Sequence, residues 1–378
     1  MRFGDSIFGQ LLKPVSRHDG NAYDKTFKSW DHMVALVFAQ LAGIDSLREL
    51  EAIWNANSHH HYHLGTGKLA RATLSDANTR RPVAIFAETF ERLSALADRT
   101  LKREGAQMLR LMDSTPIPLD QLVGWADWNG RTRGLKLHVV YDPGADHPRC
   151  VEITPSTVND VTPAQQVPIE AGATYVFDKA YCSYAWWTRL HDAGARFVTR
   201  QKINARFRVT GWRPVRKWKG DGFTIIDDAE VKLVSAGKAK LAIPMRRIRI
   251  RRDDGAKLTL ITNDLKRSAI DIAKLYKARW QIELLFRWIK QHLKLRKFLG
   301  RSENAIRLQI LAAMIAYLLL RIAARESRII MRAIRFAGLI AASLFIRKPV
   351  ADIDRPPKVN PSTARNQNSP DQISFCYA

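Results

Sequence analysis

Cysteine is scarce in this 378-residue chain: Cys150, Cys182 and Cys376 are too few and too widely spaced for a disulfide framework or a thiolate metal site. A reducing, cytoplasmic compartment is expected. Long apolar runs are missing too. The longest, Ile310–Leu320 and Phe336–Ile346, hold 11 residues each between arginines, whereas a membrane-spanning helix needs about 20. They are expected to be buried core helices. The start, Met1-Arg2-Phe3-Gly4-Asp5, lacks the apolar stretch of a signal peptide. Acidic residues are also in short supply: 36 against 61 Lys and Arg, a formal net charge of +25. Self-repulsion on that scale opposes compaction unless a polyanion neutralises it. Nucleic acid is the leading partner, ahead of an anionic membrane surface.

The densest pattern lies at Tyr276-Lys277-Ala278-Arg279-Trp280-Gln281-Ile282-Glu283 and continues to Lys290. On a helix, Tyr276, Arg279, Glu283 and Lys290 project at roughly 0°, 300°, 340° and 320°, one face about 60° wide. Leu275, Ile282, Phe286, Ile289 and Leu293 form an apolar stripe beside it, fit to dock on a core. Arg287 and Lys294 lengthen the polar face. A carboxylate among two cations and a phenol suits a metal ligand surrounded by phosphate-binding groups. The plainer alternative is an amphipathic surface helix with Arg279–Glu283 as an i,i+4 pair.

Residues 1–100 read as a helical N-terminal domain. Trp30–Leu41 has helical spacing, Ser46-Leu47-Arg48-Glu49 fits a capping box, Thr73-Leu74-Ser75-Asp76 opens a further helix, and Pro82–Leu96 continues the pattern. DNA binding suits such a module, although any helical bundle reads alike. His59-His60-His61-Tyr62-His63 lacks ligand partners at metal spacing and reads as a solvated loop. From about 105 strands take over: Met108–Met112, Leu135–Tyr141, Cys150–Ile153, Thr174–Phe177 and Arg196–Thr199, with a helix over Tyr184–Ala193. The expectation is an α/β fold, a mixed sheet with helices on its faces. Residues 203–257 read as a β-rich insertion, with strands at Phe223–Ile226 and Val231–Val234. Its run Arg246–Arg252 alternates Arg and Ile, which sends isoleucines to one face and arginines to the other. Leu258–Thr262 returns to the sheet. The core thus spans 105–202 and 258–346, and the Pro-, Asn- and Ser-rich 348–378 read as a disordered tail.

Asp113 and Asp178 each end an apolar strand, where open sheets bind ligands. A strand-end Asp also serves as a turn former or helix cap. If the two strands are neighbours, these aspartates converge and Glu283 completes a three-carboxylate cluster. Mutual repulsion would raise at least one pKa unless cations intervene. Hard divalent ions with oxygen ligands resolve it, Mg²⁺ foremost. Two such ions about 3.5–4 Å apart are the general device for phosphodiester displacement, with Tyr276, Arg279 and Lys290 as phosphate contacts.

These residues resemble a DDE transposase of bacterial insertion sequences, in the insertion-sequence family four branch. The Y-R-E-K signature is met by Tyr276, Arg279, Glu283 and Lys290 at unbroken spacing. Phe298-Leu299-Gly300, Leu111-Met112-Asp113-Ser114-Thr115, Phe197-Val198-Thr199-Arg200, Gln40–Glu49 and Thr73–Asn78 are similar as well, over roughly residues 5–346. The run Asp178-Lys179-Ala180-Tyr181-Cys182-Ser183 departs from the family's glycine–tyrosine pair and following aspartate. The resemblance implies a ribonuclease-H-like core with Asp113, Asp178 and Glu283 as catalytic metal ligands and two Mg²⁺ ions, with Mn²⁺ as a substitute. It implies double-stranded DNA partners (terminal inverted repeats and target), a synaptic homodimer, a nucleoid location and cut-and-paste chemistry. There, water frees a 3′-OH, a hairpin can form, and the hydroxyl attacks target DNA. Trp212 and Trp218 are candidates to hold a flipped base, or are simply packed within the insertion. Two other readings stay open: a ribonuclease-H-like nuclease that cuts without joining, and an inactive DNA-binding relative.

Overall fold

The computed structural model describes residues 3–22, 24–100, 108–119, 123–130, 133–215, 218–235, 241–292, 297–329, 333–346 and 352–353. The chain opens with helices α1 (Phe3–Arg17), α2 (Ser29–Ala42), α3 (Leu47–Ala56), α4 (Arg71–Arg80) and α5 (Val83–Thr100). Strands β1 (Leu109–Pro118), β2 (Gly134–Asp142) and β3 (His147–Pro155) follow. The short α6 (Val161–Ala164) leads to β4 (Thr174–Phe177), α7 (Tyr184–Asp192) and β5 (Arg196–Arg200). Next come β6 (Arg206–Trp212), β7 (Lys219–Gly220), β8 (Phe223–Ser235), β9 (Met245–Arg252) and β10 (Lys257–Thr262). Helices α8 (Ala269–Ala278), α9 (Trp280–His292), α10 (Glu303–Glu326) and α11 (Ala333–Ser343) complete the fold.

One ten-stranded sheet runs in the order β3-β2-β1-β4-β5-β10-β9-β8-β6, with β7 paired to β8. β1, β2 and β3 form an antiparallel meander, while β1, β4 and β5 are parallel neighbours. This 3-2-1-4-5 order is the ribonuclease-H-like arrangement, so the expected fold class holds. The strands between β5 and β10 extend the same sheet outward. In β9 the alternation holds for Ile248 and Ile250, which are buried, against the exposed Arg249 and Arg251. Arg246 lies on the isoleucine side, where its Nε and Nη2 donate to Asp228 at 2.7 and 2.5 Å. Phe223–Ser235 is one strand with a bulge between Ile225 and Asp227, not two.

Helix α10 is the centre of the helical layer and packs on α2, α4, α5 and β3. It is long and apolar enough to cross a membrane, yet 83% of its apolar window is buried within the protein. Its N-cap Ser302 accepts from Ala305 N at 3.2 Å. Asn304 Nδ2 donates to the carbonyls of Asn78 and Arg81 at 2.9 Å each, tying α10 to the N-terminal helices. Helix α4 opens at Arg71 rather than Thr73, with Leu74 and Ala77 setting its buried side. The histidine run is no open loop. It lies in a 3₁₀ turn, Ser58–Leu64, where His61 is buried and hydrogen-bonds Trp54 O at 2.9 Å. The 348–378 tail lies almost wholly outside the described residues.

Two buried groups make the packing testable. Arg110, fully buried on β1, donates to Asp142 at 2.8 Å and through Nε and Nη2 to Glu170 at 2.7 Å each. Arg110→Met leaves a buried carboxylate without its counter-charge and is expected to cost about 3–5 kcal/mol in urea unfolding. His32 is fully buried, and its Nε2–H donates to Asn78 Oδ1 at 2.8 Å. Burial first, then Arg81, pushes its pKa down to about 3. Its folded pKa lies below the unfolded value, so its contribution is complete above pH 6.5 and is lost as pH falls toward 3. Between pH 7 and 4.5, His32→Gln should lose about 2–3 kcal/mol less stability than wild type. Equal losses would contradict this.

Candidate active site

The geometry of the candidate site starts from a register. In the parallel pair of β1 and β4, Leu111 lies beside Val176 and Met112 beside Phe177. The next residues along the two strands are Asp113 and Asp178. Side chains alternate along strands. Leu111 and Val176 join the core with Ile272 and Ile282, while Met112 and Phe177 pack with Trp186 of α7. Asp113 and Asp178 therefore share the face that carries α8 and α9. Asp113 is not at the end of its own strand, because β1 continues to Pro118 paired with β2 alone. The strand that ends here is β4.

The signature segment is not one unbroken helix. α8 stops at Ala278 and α9 begins at Trp280. Arg279 caps α8 at φ −52°, ψ −30°, and its N–H donates to Tyr276 O at 3.2 Å, tighter than an α-turn. No glycine or proline marks this joint. Three of the four signature residues still converge. Arg279 Nη1 donates to Asp113 Oδ2 at 2.7 Å and Nη2 to Glu283 Oε1 at 2.6 Å. Tyr276 Oη donates to Asp178 Oδ1 at 3.3 Å, and Arg200 Nη1 of β5 stands 3.8 Å from the same oxygen. Ser114 N donates to Asp113 Oδ1 at 2.9 Å. Lys290 lies half-buried about two turns further along α9.

The electrostatics follow. Burial pushes the Asp113 carboxyl up to about 6; Arg279 and the Ser114 N–H pull it down, and Glu283 and Asp178 push it further up. Tyr276 is pushed up to about 12 by burial and then by Asp178. The three carboxylates hold more negative charge than the cations beside them offset. Asp178 Oδ2 and Glu283 Oε2 accept no hydrogen bond from the described residues. All donors are hard oxygens, which fits divalent ions of the Mg²⁺ type. As they stand, no three His, Cys, Asp or Glu among the described residues are close enough to hold a metal. Arg279 already lies between two of the carboxylates.

The other predicted residues are more dispersed. The Arg287 guanidinium lies 5.7 Å from the exposed Trp280 ring. Lys294 is outside the described residues. Trp212 is 66% exposed. It pairs with Ala229 on the sheet face opposite α8 and α9, away from the carboxylates, with Arg247 at 5.9 Å. Trp218 is half-buried, and Lys274 Nζ of α8 lies 5.1 Å from its ring. The β7–β8 hairpin turns at Asp221-Gly222, both with positive φ (54° and 83°), the geometry for which Asp-Gly is suited. Its tip docks on α8: Lys274 Nζ is 3.0 Å from Asp221 Oδ2, and Lys277 Nζ donates to Asp221 O at 2.6 Å. A cleft of about 840 Å³ lies between this hairpin and α8–α9, reaching Arg279, Trp280 and Glu283.

Sequence reasoning missed Arg200, Lys274, Lys277 and Asp221. Arg200 carried the same signal as Asp178, a polar residue closing a short apolar strand. The Gly220-Asp221-Gly222 run marked the hairpin. The unusual run after Asp178 proves locally sound: Ala180 sits in a 3₁₀ turn that needs no glycine, and Ser183 caps α7 by accepting from Trp186 N at 3.4 Å.

A family model described as "Transposase DDE domain" matches residues 104–319, and one described as a domain of unknown function matches 4–67. A Sinorhizobium fredii protein named as a transposase, y4zB, is 59% identical over 304 residues, covering 80% of this chain and 85% of its own length. A Geobacillus stearothermophilus protein named as a transposase for insertion sequence element IS5377 is 32% identical, with 56% of each chain covered. One from Synechocystis, named for insertion sequence element IS4SA, is 27% identical over 66% of this chain and 71% of its own. Among solved structures, a piggyBac transposase synaptic complex with hairpin DNA is similar over 96% of this chain and 82% of that one, at 9% identity and a TM-score of 0.45. With more than half its length under the DDE model and a relative this similar, the chain belongs to the DDE transposases and is an enzyme of that family, whose chemistry depends on divalent metal.

Proposed function

We propose that this protein is a cut-and-paste transposase of an insertion sequence, with Asp113, Asp178 and Glu283 as catalytic metal ligands. The observation that carries the reading is the convergence of these carboxylates, from β1, the end of β4 and α9, around Arg279 and Tyr276. Two Mg²⁺ ions are the expected complement. Held by the three carboxylates, they would lower the pKa of an attacking water or hydroxyl and offset charge on the leaving oxygen.

The chain's own residues supply the rest. Asp113 and Asp178 sit on a rigid sheet and fix one side of the site, and Glu283 closes it from α9. Arg279 and Lys290 present cations to backbone phosphates, and Tyr276 holds Asp178 in place. The +25 charge supports a duplex DNA partner. Inverted repeats at the element's ends, target DNA and a homodimer joining two ends belong to the same proposal. So do water attack to free a 3′-OH, a hairpin stage, and attack of that hydroxyl on target DNA. Trp218, beside α8 and the cleft, is better placed than Trp212 to stack a flipped base.

Asp113→Asn, Asp178→Asn and Glu283→Gln should each lower cleavage of end-bearing DNA at least about 100-fold. Binding should be retained, and chelating the metal should have the same effect in the wild type. Undiminished cleavage by any one variant would remove that residue from the set. Cut ends should also join to a target plasmid; cutting without joining would favour a plain nuclease. Trp218→Ala should spare the first nick and slow the second-strand step, whereas equal slowing of both would assign it a packing role.

A further inference from the structure

Arg279 does more in this structure than a phosphate contact requires. Its two terminal nitrogens are committed to two different carboxylates, Asp113 at 2.7 Å and Glu283 at 2.6 Å. Both Arg279 and Asp113 side chains are only 19% exposed, so water screens the pair weakly. Its Nε is buried with no hydrogen-bond partner among the described residues. Such a guanidinium cannot leave by losing its proton, because it stays charged at any physiological pH. It leaves only by moving.

We propose that Arg279 is a built-in counter-cation of the carboxylate cluster, competing with the divalent ions, and that its release couples metal loading to DNA binding. The inference rests on the reading of Asp113 and Glu283 as metal ligands. While the fork of Arg279 spans them, neither carboxylate is free to share an ion with the other. The cleft beside α8 and α9 is lined by Arg279 itself, Lys274 and Lys277, so space and further cations wait where a DNA backbone would lie. A phosphate there offers the guanidinium a planar, bidentate partner in exchange for its two carboxylates. Drawing Arg279 onto phosphate unblocks the ligands, and ions on the ligands release Arg279 to phosphate. Linkage then requires each event to strengthen the other by the same factor.

The test is a Mn²⁺ titration of the full chain without DNA, followed by electron paramagnetic resonance. Arg279→Gln, which removes the competing charge, should bind Mn²⁺ at least tenfold more tightly than wild type. Arg279→Lys, which keeps the charge but loses the fork, should fall between. Equal or weaker binding by Arg279→Gln overturns the proposal. If circular dichroism shows that this variant does not fold, Arg279→Lys decides: tighter than wild type supports, equal overturns. Ca²⁺ should raise the affinity of the wild type for an end-bearing duplex, read by fluorescence anisotropy, and leave that of Arg279→Gln unchanged. Asp113→Asn and Glu283→Gln separate the two layers. If they fail to weaken Mn²⁺ binding, the ligand assignment falls and the coupling with it. If they weaken it while Arg279→Gln changes nothing, only the coupling falls.

Discussion

Carboxylates gathered on one face of a sheet repel one another, and the side chains set around this cluster answer that repulsion. Burial acts first against the charged form of Asp113, and Glu283 and Asp178 add to it. Arg279 answers for Asp113 and Glu283, and Arg200 with Tyr276 for Asp178. The balance is incomplete, which leaves a site fit for further cations. In a protein of net charge +25, a pocket of uncompensated negative charge is an exception that the fold must hold in place.

The holding is done by register and by buried ion pairs. Parallel pairing of β1 with β4 sets Asp113 beside Asp178, and a slip of one residue would turn either side chain to the opposite face. Arg110, below Asp113 on the same strand, clamps that strand to Asp142 and Glu170. α10, buried along most of its length, ties the N-terminal helices to β3 and so to the same sheet. On the far side, the β7–β8 hairpin docks on α8 through Asp221, so the outer strands touch the helix that leads into Arg279.

Much of this was legible in the chain itself. Thr174–Phe177 matches β4 residue for residue, and the alternation in Arg246–Arg252 located Ile248 and Ile250 inside. The aspartates stood out because each closes an apolar run, and Glu283 because its neighbours at helical spacing are charged or phenolic. What was not legible depends on partners remote in sequence. The break at Arg279 has no local breaker to announce it. Arg246 reads as one more exposed arginine until Asp228 is found beside it. His61 sits in a polar run, yet Trp54 and Phe345 enclose it. That Arg279 bridges two carboxylates at the wall of the cleft is visible only once β1 and α9 are brought together.

The central claim is that divalent ions are held where β1, the end of β4 and α9 meet. Iron-directed protein cleavage addresses it directly. With Fe²⁺ in place of Mg²⁺ and peroxide with ascorbate added, hydroxyl radicals cut the polypeptide next to the bound ion. The account predicts chain cuts close to residues 113, 178 and 283, suppressed by excess Mg²⁺. Cuts confined to other segments, such as the histidine run at 59–63, would contradict it.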